Sequence, residues 1–430
     1  MLKIYNKSSA NDLYKKLKNR IDEKFDEALK TAGEIISDVK ENGDKAVKNY
    51  TQKFDKIDKI DVDDLFMTEE EISQIYEKCD KNLIKIMEKA AQNIEEYHKK
   101  QSQNSYIITK NGIVMGQRVL PIERVAMYVP GGTAAYPSTV LMNAIPAKIA
   151  GVKEMIILTP PKKDGMNPQI IAAAKICGID KIYKAGGAQA IAAAAYGTES
   201  LKAVDKIVGP GNGYVAAAKK LVYGAVDIDM IAGPSEILII ADKSASPKYI
   251  AADLMSQAEH DILASAILVT DSGQIAKQVN IELEKQIKNL TRSEIIEQSL
   301  SEYGGCILCE NIDEAIKIAN DIAPEHLELA VENCFEKLDL IKNAGSVFLG
   351  DYSPEPLGDY FAGTNHVLPT NGTARFSSPL GVESFVKKSS FIYYSREKLK
   401  EVSGDIIKFA ESEKLTAHAN SIKERFGENI

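Results

Sequence analysis

Ile237-Leu-Ile-Ile-Ala241 is one continuous apolar run and Ala266-Ile-Leu-Val-Thr270 is another. Between them, Pro247 to His260 has helical spacing, with Tyr249, Ala252 and Met255 in a stripe and Ala251 and Leu254 beside it. Two short apolar runs joined by an amphipathic helix spell a strand–helix–strand unit of a parallel sheet. The helix leads into Asp253-Leu-Met-Ser-Gln-Ala-Glu-His-Asp261, where Gln257 and His260 stand three apart and leave the same face. An imidazole and an amide oxygen aimed at one point make half of a metal site, or a grip on a polar ligand. A plain helix end, with His260 near the dipole's negative pole, is the competing reading. Taken alone the pair favours that reading, because zinc helices pair His with His or Glu.

The alternation continues on both sides. Upstream, Val125-Ala-Met-Tyr-Val129, Met155-Ile-Ile-Leu158, Lys181-Ile-Tyr183 and Lys206-Ile-Val208 read as strands, separated by helical stretches from Val140, Ile170, Gln189 and Tyr214. Downstream come Cys306-Ile-Leu and a helix over Asp313 to Ile322. This order predicts a mainly parallel α/β sheet with helices on both faces, uninterrupted by internal repeats or low-complexity linkers. Residues 1–105 are charged and helical in pattern, and Thr68-Glu-Glu-Glu71 is a capping box. Ile84, Met87, Ala90, Ala91 and Ile94 form a further stripe, while His98, among Glu95, Glu96, Lys99 and Lys100, reads as a solvated surface histidine. Gly112 to Pro121 reads as strand.

A chain of 430 residues with 44% apolar content implies about two to three domains with ample cores. A net charge of −8 argues against nucleic acid, which needs a basic face. Five cysteines do not make a disulfide framework, and Cys306-Ile-Leu-Cys309, with no second such pair, reads as packing within a strand rather than a zinc ribbon. The start, Met1-Leu-Lys-Ile, has no signal-peptide core and no 18-residue apolar run occurs, so the expectation is a cytoplasmic protein without a membrane span.

Three glycine-bearing turns stand at strand-to-helix junctions: Pro130-Gly-Gly-Thr133, Gly186-Gly-Ala-Gln189 and Gly209-Pro-Gly-Asn-Gly213. Strand carboxyl ends and helix N-termini of this kind favour phosphate, so a nucleotide is expected there, although the dinucleotide fingerprint is incomplete at Tyr214 and no Walker lysine follows. Ala323-Pro-Glu-His326 sets an acid beside an imidazole, a pair able to divide general-base work from water activation. Gly358-Asp-Tyr-Phe-Ala-Gly-Thr-Asn-His366 is a polar loop holding Asp359 and His366, and Glu413 and His418 flank Leu415-Thr-Ala417. Four of only five histidines thus sit in polar, irregular or helix-end settings, which points to a metal or acid–base site.

The segments Tyr128-Val-Pro-Gly-Gly, Tyr136-Pro-Ser-Thr-Val-Leu-Met-Asn-Ala-Ile-Pro-Ala-Lys, Gly186-Gly-Ala-Gln-Ala-Ile-Ala, Val208-Gly-Pro-Gly-Asn, Ala232-Gly-Pro-Ser-Glu, Ser256-Gln-Ala-Glu-His, Ala323-Pro-Glu-His-Leu, Gly363-Thr-Asn-His-Val-Leu-Pro-Thr and Leu415-Thr-Ala-His-Ala-Asn resemble the histidinol dehydrogenase family, in the family's order. The chain departs from it near Ser105-Tyr106, which lacks a tryptophan, and in the more apolar residues after Asp261. The resemblance implies oxidation of L-histidinol to L-histidine through L-histidinaldehyde, the last steps of histidine biosynthesis, with zinc and two NAD. Carried over by motif, Gln257, His260, Asp359 and His418 are the zinc ligands. His326 is the general base and Glu325 activates water. Ser235, His366 and Glu413 hold substrate together with His326 and the metal ligands, and Tyr128, Gln189 and Asn212 contact NAD.

The implied architecture is two Rossmann-like doubly wound domains with helical tails. Residues 1–23 form the N-terminal tail, 24–127 with 236–380 the catalytic domain, 128–235 the NAD domain, and 381–430 a C-terminal tail exchanged across a homodimer. A thin stripe in that tail, Leu399, Val402, Ile406 and Phe409 or Ala410, needs another surface to bury it. A zinc hydrolase and a non-catalytic paralogue on the same fold are the alternatives. The first would need no nucleotide, and the second would lose an acid–base residue, whereas Glu325 and His326 are both present.

Overall fold

The structure, a computed structural model, describes residues 1–6, 9–20, 22–57, 60–131, 136–163 and 165–427. The chain opens with β1 (Ile4–Tyr5) and α1 (Ala10–Asn19), then α2 (Asp22–Asp55), α3 (Glu69–Tyr76) and α4 (Lys81–Lys99). β2 (Tyr106–Lys110) and β3 (Ile113–Pro121) follow. Strands and helices then alternate: β4 (Arg124–Tyr128), α5 (Pro137–Ala150), β5 (Glu154–Leu158), α6 (Pro168–Cys177), β6 (Lys181–Tyr183), α7 (Gly187–Tyr196), β7 (Lys206–Val208), α8 (Gly213–Val222) and β8 (Asp227–Ile228). The pattern resumes with β9 (Glu236–Ala241), α9 (Pro247–Ala258), β10 (Ser265–Thr270), α10 (Gly273–Gln286), α11 (Ser293–Tyr303), β11 (Gly305–Leu308), α12 (Ile312–Ile322), β12 (His326–Ala330), α13 (Cys334–Lys337), β13 (Ser346–Leu349) and α14 (Glu355–Tyr360). β14 (Val386–Tyr394), α15 (Arg396–Ser412) and α16 (Thr416–Lys423) come last.

Contacts divide the chain into two compact units, Met1–Gln101 with Ile122–Phe385, and Ser102–Pro121 with Val386–Ile430. The first holds two all-parallel sheets rather than one. Their orders are β6-β5-β4-β7-β8 and β1-β11-β10-β9-β12-β13. Counted from its own first long strand, each runs 3-2-1-4-5, so the repeat that the residues do not spell is present in the topology. β9 and β10 are buried along their whole length, which is why they read as unbroken apolar runs. In each sheet the order reverses between one pair of strands, β4 and β7 in the first, β9 and β12 in the second, the switch point beside which open α/β sheets bind their ligands.

Three segments depart from the sequence expectation. Residues 1–23 are not a helical tail: β1 pairs with β11, and Tyr5, Ala10 and Leu13 are buried in the core of the six-stranded sheet. The helices of 24–99 pack on the five-stranded sheet, not with the strands after 236. Ala28, Ala32, Ile35 and Val39 of α2 meet Ala190 and Val215, and Ile84, Met87 and Ile94 of α4 meet Val140 and Ile170. The Ala-rich α7 and α8 offer α2 the flat apolar face its stripe requires. Thirdly, 386–394 is strand: β14 pairs antiparallel with β3, which pairs with β2 in turn. In that second unit Ile406 and Phe409 of α15 are exposed while Ser403 and Ile407 are buried, one position round from the expected stripe.

The capping box forms, with Thr68 and Glu71 exchanging side-chain and backbone bonds. All five cysteines are free, and Cys306 is buried in β11. Among the described residues no helix is long and apolar enough to cross a membrane.

Candidate active site

β9 and β12 are neighbours, and His326 pairs with Ile237, so both strands begin at the same edge. α12 stops at Ala323, which takes a left-handed φ of 54°, and Pro324 turns the chain straight into β12. Glu325 and His326 therefore lie buried beside Glu236, the first residue of β9, with Ser235 just before it. Backbone groups lock the carboxylates: Glu236 N–H donates to Glu325 Oε2 at 3.0 Å, and Glu325 N–H donates to Glu236 Oε2 at 3.3 Å. His326 Nδ1 stands 2.9 Å from the Glu236 carbonyl oxygen. A carbonyl can only accept, so Nδ1 carries the proton and Nε2 the free lone pair. Nε2 is buried without a hydrogen-bond partner, 3.9 Å from Glu355 Oε1. Burial holds His326 below the ordinary imidazole value, against the pull of the Asp359 charge, so the ring is neutral at neutral pH.

Glu355 and Asp359 sit four apart on α14 and share one face. Ligand atoms of His326, Glu355 and Asp359 all fall within 4.8 Å of one another. Ser256 Oγ on α9 donates to Glu355 Oε2 at 3.2 Å, and Glu355 N–H donates to Glu328 Oε1 at 2.9 Å. Next to Ser256, Gln257 has both amide atoms buried and unpartnered. α9 ends at Ala258, so His260 is not on the helix as its spacing predicts. It follows in a tighter turn, where its N–H reaches the Gln257 carbonyl at 3.1 Å. Burial depresses the His260 imidazole while the Asp359 charge supports it. His366 Nδ1 donates to the Asp359 carbonyl at 3.1 Å, and its Nε2 is 3.5 Å from Thr139 Oγ1.

Acids dominate this pocket. Burial, then the Glu236 charge, raises Glu325 well above the usual carboxyl range, and burial with the Asp359 charge pushes Glu355 up to about 9. Glu236 is raised by burial too, but the buried Arg20 guanidinium of the N-terminal segment pairs with it and pulls it down. Crowded acids beside an orphaned imidazole nitrogen and an orphaned amide form a mixed nitrogen and oxygen donor set short of positive charge. That set fits a borderline divalent cation such as zinc and a basic ligand. Glu236 and Glu355 carried no expectation from the sequence. The i, i+4 spacing of Glu355 and Asp359 was the available signal.

The residues expected to touch a nucleotide lie at carboxyl ends of the five-stranded sheet. Tyr128 ends β4, and its hydroxyl accepts from Gly187 N–H at the start of α7 (3.2 Å); burial pushes it up to about 12. Gln189 is buried in the first turn of α7 with Oε1 unpartnered. Asn212 caps α8, accepting from Tyr214 and Val215 N–H at 3.1 Å each. Of the turn after β4, Gly132 and Thr133 lie outside the described residues. Gly213, first in α8, would meet nothing within 4 Å if it carried a Cβ, so packing within the chain does not require a glycine there.

Glu413 and His418 belong to the second unit, where both are exposed. His98 is not a surface residue but fully buried, because it extends the α4 stripe by one more turn from Ile94. Its Nδ1 donates to Gln101 Oε1 at 2.7 Å and its Nε2 accepts from Asn365 Nδ2 at 3.4 Å, which braces the loop that holds His366.

The family model for histidinol dehydrogenase matches residues 18–426. The chain is 60% identical over 415 residues to a histidinol dehydrogenase of Clostridium acetobutylicum, covering 96% of each, and 56% identical over 419 residues to that of Lactococcus lactis, covering 97% of each. It superposes on a crystal structure of histidinol dehydrogenase from Elizabethkingia anophelis with a TM-score of 0.91 at 41% identity, covering 99% of this chain and 98% of that one. By sequence along nearly its whole length, and by fold, the chain belongs to the histidinol dehydrogenase family, a family of oxidoreductases.

Proposed function

We propose that this chain oxidises L-histidinol to L-histidine through bound L-histidinaldehyde, transferring two hydrides in succession to NAD. The observation that carries the reading is the buried His326 Nε2, deprotonated and without a partner, held in that tautomer by the Glu236 carbonyl. It is a neutral base in a pocket of raised acids. Gln257, His260 and Asp359 would hold zinc, with His418 from a second subunit. Bound zinc would orient a substrate carrying an imidazole and an amine, and act as a Lewis acid. NAD would accept the hydrides at the carboxyl ends of the five-stranded sheet. The order 3-2-1-4-5 is five of the six strands of the Rossmann order 3-2-1-4-5-6; Tyr128 ends one of the two strands where it reverses, and Asn212 follows the other.

His326 takes the alcohol proton at Nε2 as hydride leaves, and releases it before the second oxidation. Glu325, a stronger base than an ordinary carboxylate once ionised, takes a proton from water that adds to the aldehyde. His326 then accepts the hydrate's proton as the second hydride departs. Ser235, His366 and Glu413 hold polar groups of the substrate. The exposed positions of Glu413 and His418, with the exposed Ile406 and Phe409, support a homodimer in which each tail serves the partner's site. The test is purified protein with L-histidinol and NAD, following NADH absorbance: two NADH per histidinol, with little free aldehyde. One NADH, with aldehyde in solution, removes the second oxidation. No NADH at all removes the reading.

A further inference from the structure

We infer that the buried Lys219–Asp229 ion pair is a positioning device that sets the cofactor turn after β7 and ties it to the segment entering the catalytic edge of β9. Both side chains are almost wholly shielded from solvent and pair directly. They also take both polar groups of one peptide residue. Asp229 Oδ2 accepts from Gly209 N–H at 2.7 Å, and Lys219 Nζ donates to the Gly209 carbonyl at 3.0 Å. Gly209 has a φ of +105°, and a Cβ there would fall 2.1 Å from the Tyr128 carbonyl oxygen, so the turn is conformationally exceptional and crowded against the end of β4. An exceptional conformation persists only where its surroundings over-determine it. The clamp does so from both sides, one turn of chain before Asn212.

The other oxygen reaches the opposite way. Asp229 Oδ1 accepts from Met230 N–H at 2.6 Å, the first residue of the stretch that crosses to Ser235 and Glu236. That stretch is pinned further on, where Gly233 N–H donates to Thr370 Oγ1 at 2.7 Å. One carboxylate thus spans the turn at the nucleotide end of one sheet and the lead into the catalytic edge of the other. An apolar pair would hold β8 to α8 equally well, since buried ion pairs add little net stability. What the charges add is a fixed direction for the Gly209 peptide.

This rests on the NAD reading, and the experiment separates the two. Wild type is first assayed for histidinol-dependent NADH formation and for NAD binding by calorimetry; failure there removes the NAD reading, and with it this inference. Lys219→Met is then compared with the double variant Lys219→Met/Asp229→Asn, which leaves no unpaired charge and keeps one acceptor oxygen, enough for either the Gly209 or the Met230 N–H group. In both, the KM and Kd for NAD should rise about tenfold, the loss of one oriented hydrogen bond. kcat and the KM for histidinol should stay within about twofold. Should Lys219→Met fail to fold, the double variant decides. A lowered melting temperature with unchanged NAD constants, or equal rises in the two KM values, would show a merely structural pair and overturn the inference.

Discussion

Replacing Arg20 by Met should destabilise the first unit far more than a change in a terminal tail would. The guanidinium is nearly inaccessible, pairs with Glu236, and donates to the Leu263 carbonyl at 3.3 Å and to Asn371 Oδ1 at 3.2 Å. Methionine fills similar volume but strands all three acceptors, one of them a buried carboxylate. Removing one partner of a buried pair costs about 3–5 kcal/mol. Glu236 can limit the loss by taking a proton, since burial already raises it and Arg20 is the largest influence holding it down. The lower end, about 3 kcal/mol, is therefore expected. For a unit of about 365 residues this lowers the melting temperature by about 4 °C. Adding Glu236→Gln should recover most of it, to within about 1 kcal/mol of the parent, because no charge then remains to be neutralised. Differential scanning fluorimetry and equilibrium urea denaturation measure both variants. An Arg20→Met melting temperature within about 1 °C of wild type would mean that the N-terminal segment is dispensable to the core after all.

Glu325→Gln keeps shape and loses the base, so single-turnover assays should show aldehyde oxidation slowed more than alcohol oxidation, while His326→Asn slows both; equal damage from Glu325→Gln would end the division of labour. His98 is held below its ordinary value by burial, so the unfolded chain takes up its proton first. The stability it contributes is present above about pH 6.5 and is lost as pH falls below it, at up to about 1.4 kcal/mol per pH unit. The stability gap between wild type and His98→Gln should thus narrow from pH 7.5 to 5.5, and a widening gap contradicts the buried neutral ring. Mixed dimers of His326→Ala and His418→Ala should regain about half of wild-type activity, one site carrying both lesions and the other neither. Verified heterodimers as inactive as their parents would place His418 in its own chain's site.

Much of the site was legible because its residues are chemically unusual for their surroundings: adjacent Glu325 and His326 after a proline, a glycine-rich loop with Asp359 and His366, and glycine turns between strand and helix. Partnership was harder to read. Periodicity reports which face of an element is apolar, not what covers it, so it could not place α2 and α4, and the domain bounds implied by the resemblance put them with the strands after 236 rather than on the five-stranded sheet. β1 has only two residues, too few for any pattern. β14 alternates poorly because most of its residues are exposed, so it resembles the polar tail that follows. His98 was hidden by the charges on either side of it, although counting four on from Ile94 would have found it. Glu355 was overlooked because burial, which makes it informative, is invisible in a lone glutamate between two prolines.

The matching strand orders bear on how many cofactors one chain can hold at a time. The switch point between β9 and β12 is the topological counterpart of the one between β4 and β7, yet two backbone donors beside it are already taken. Asp242, just beyond β9, accepts from Ser244 N–H at 2.8 Å and from Glu332 N–H at 2.9 Å. A carboxylate of the chain itself holds these donors, and its charge would repel a phosphate. On the reading proposed above, a reaction that consumes two NAD then has a single berth for them. The second molecule can dock only after the first has left reduced, so the intermediate must outlast a complete change of cofactor without escaping.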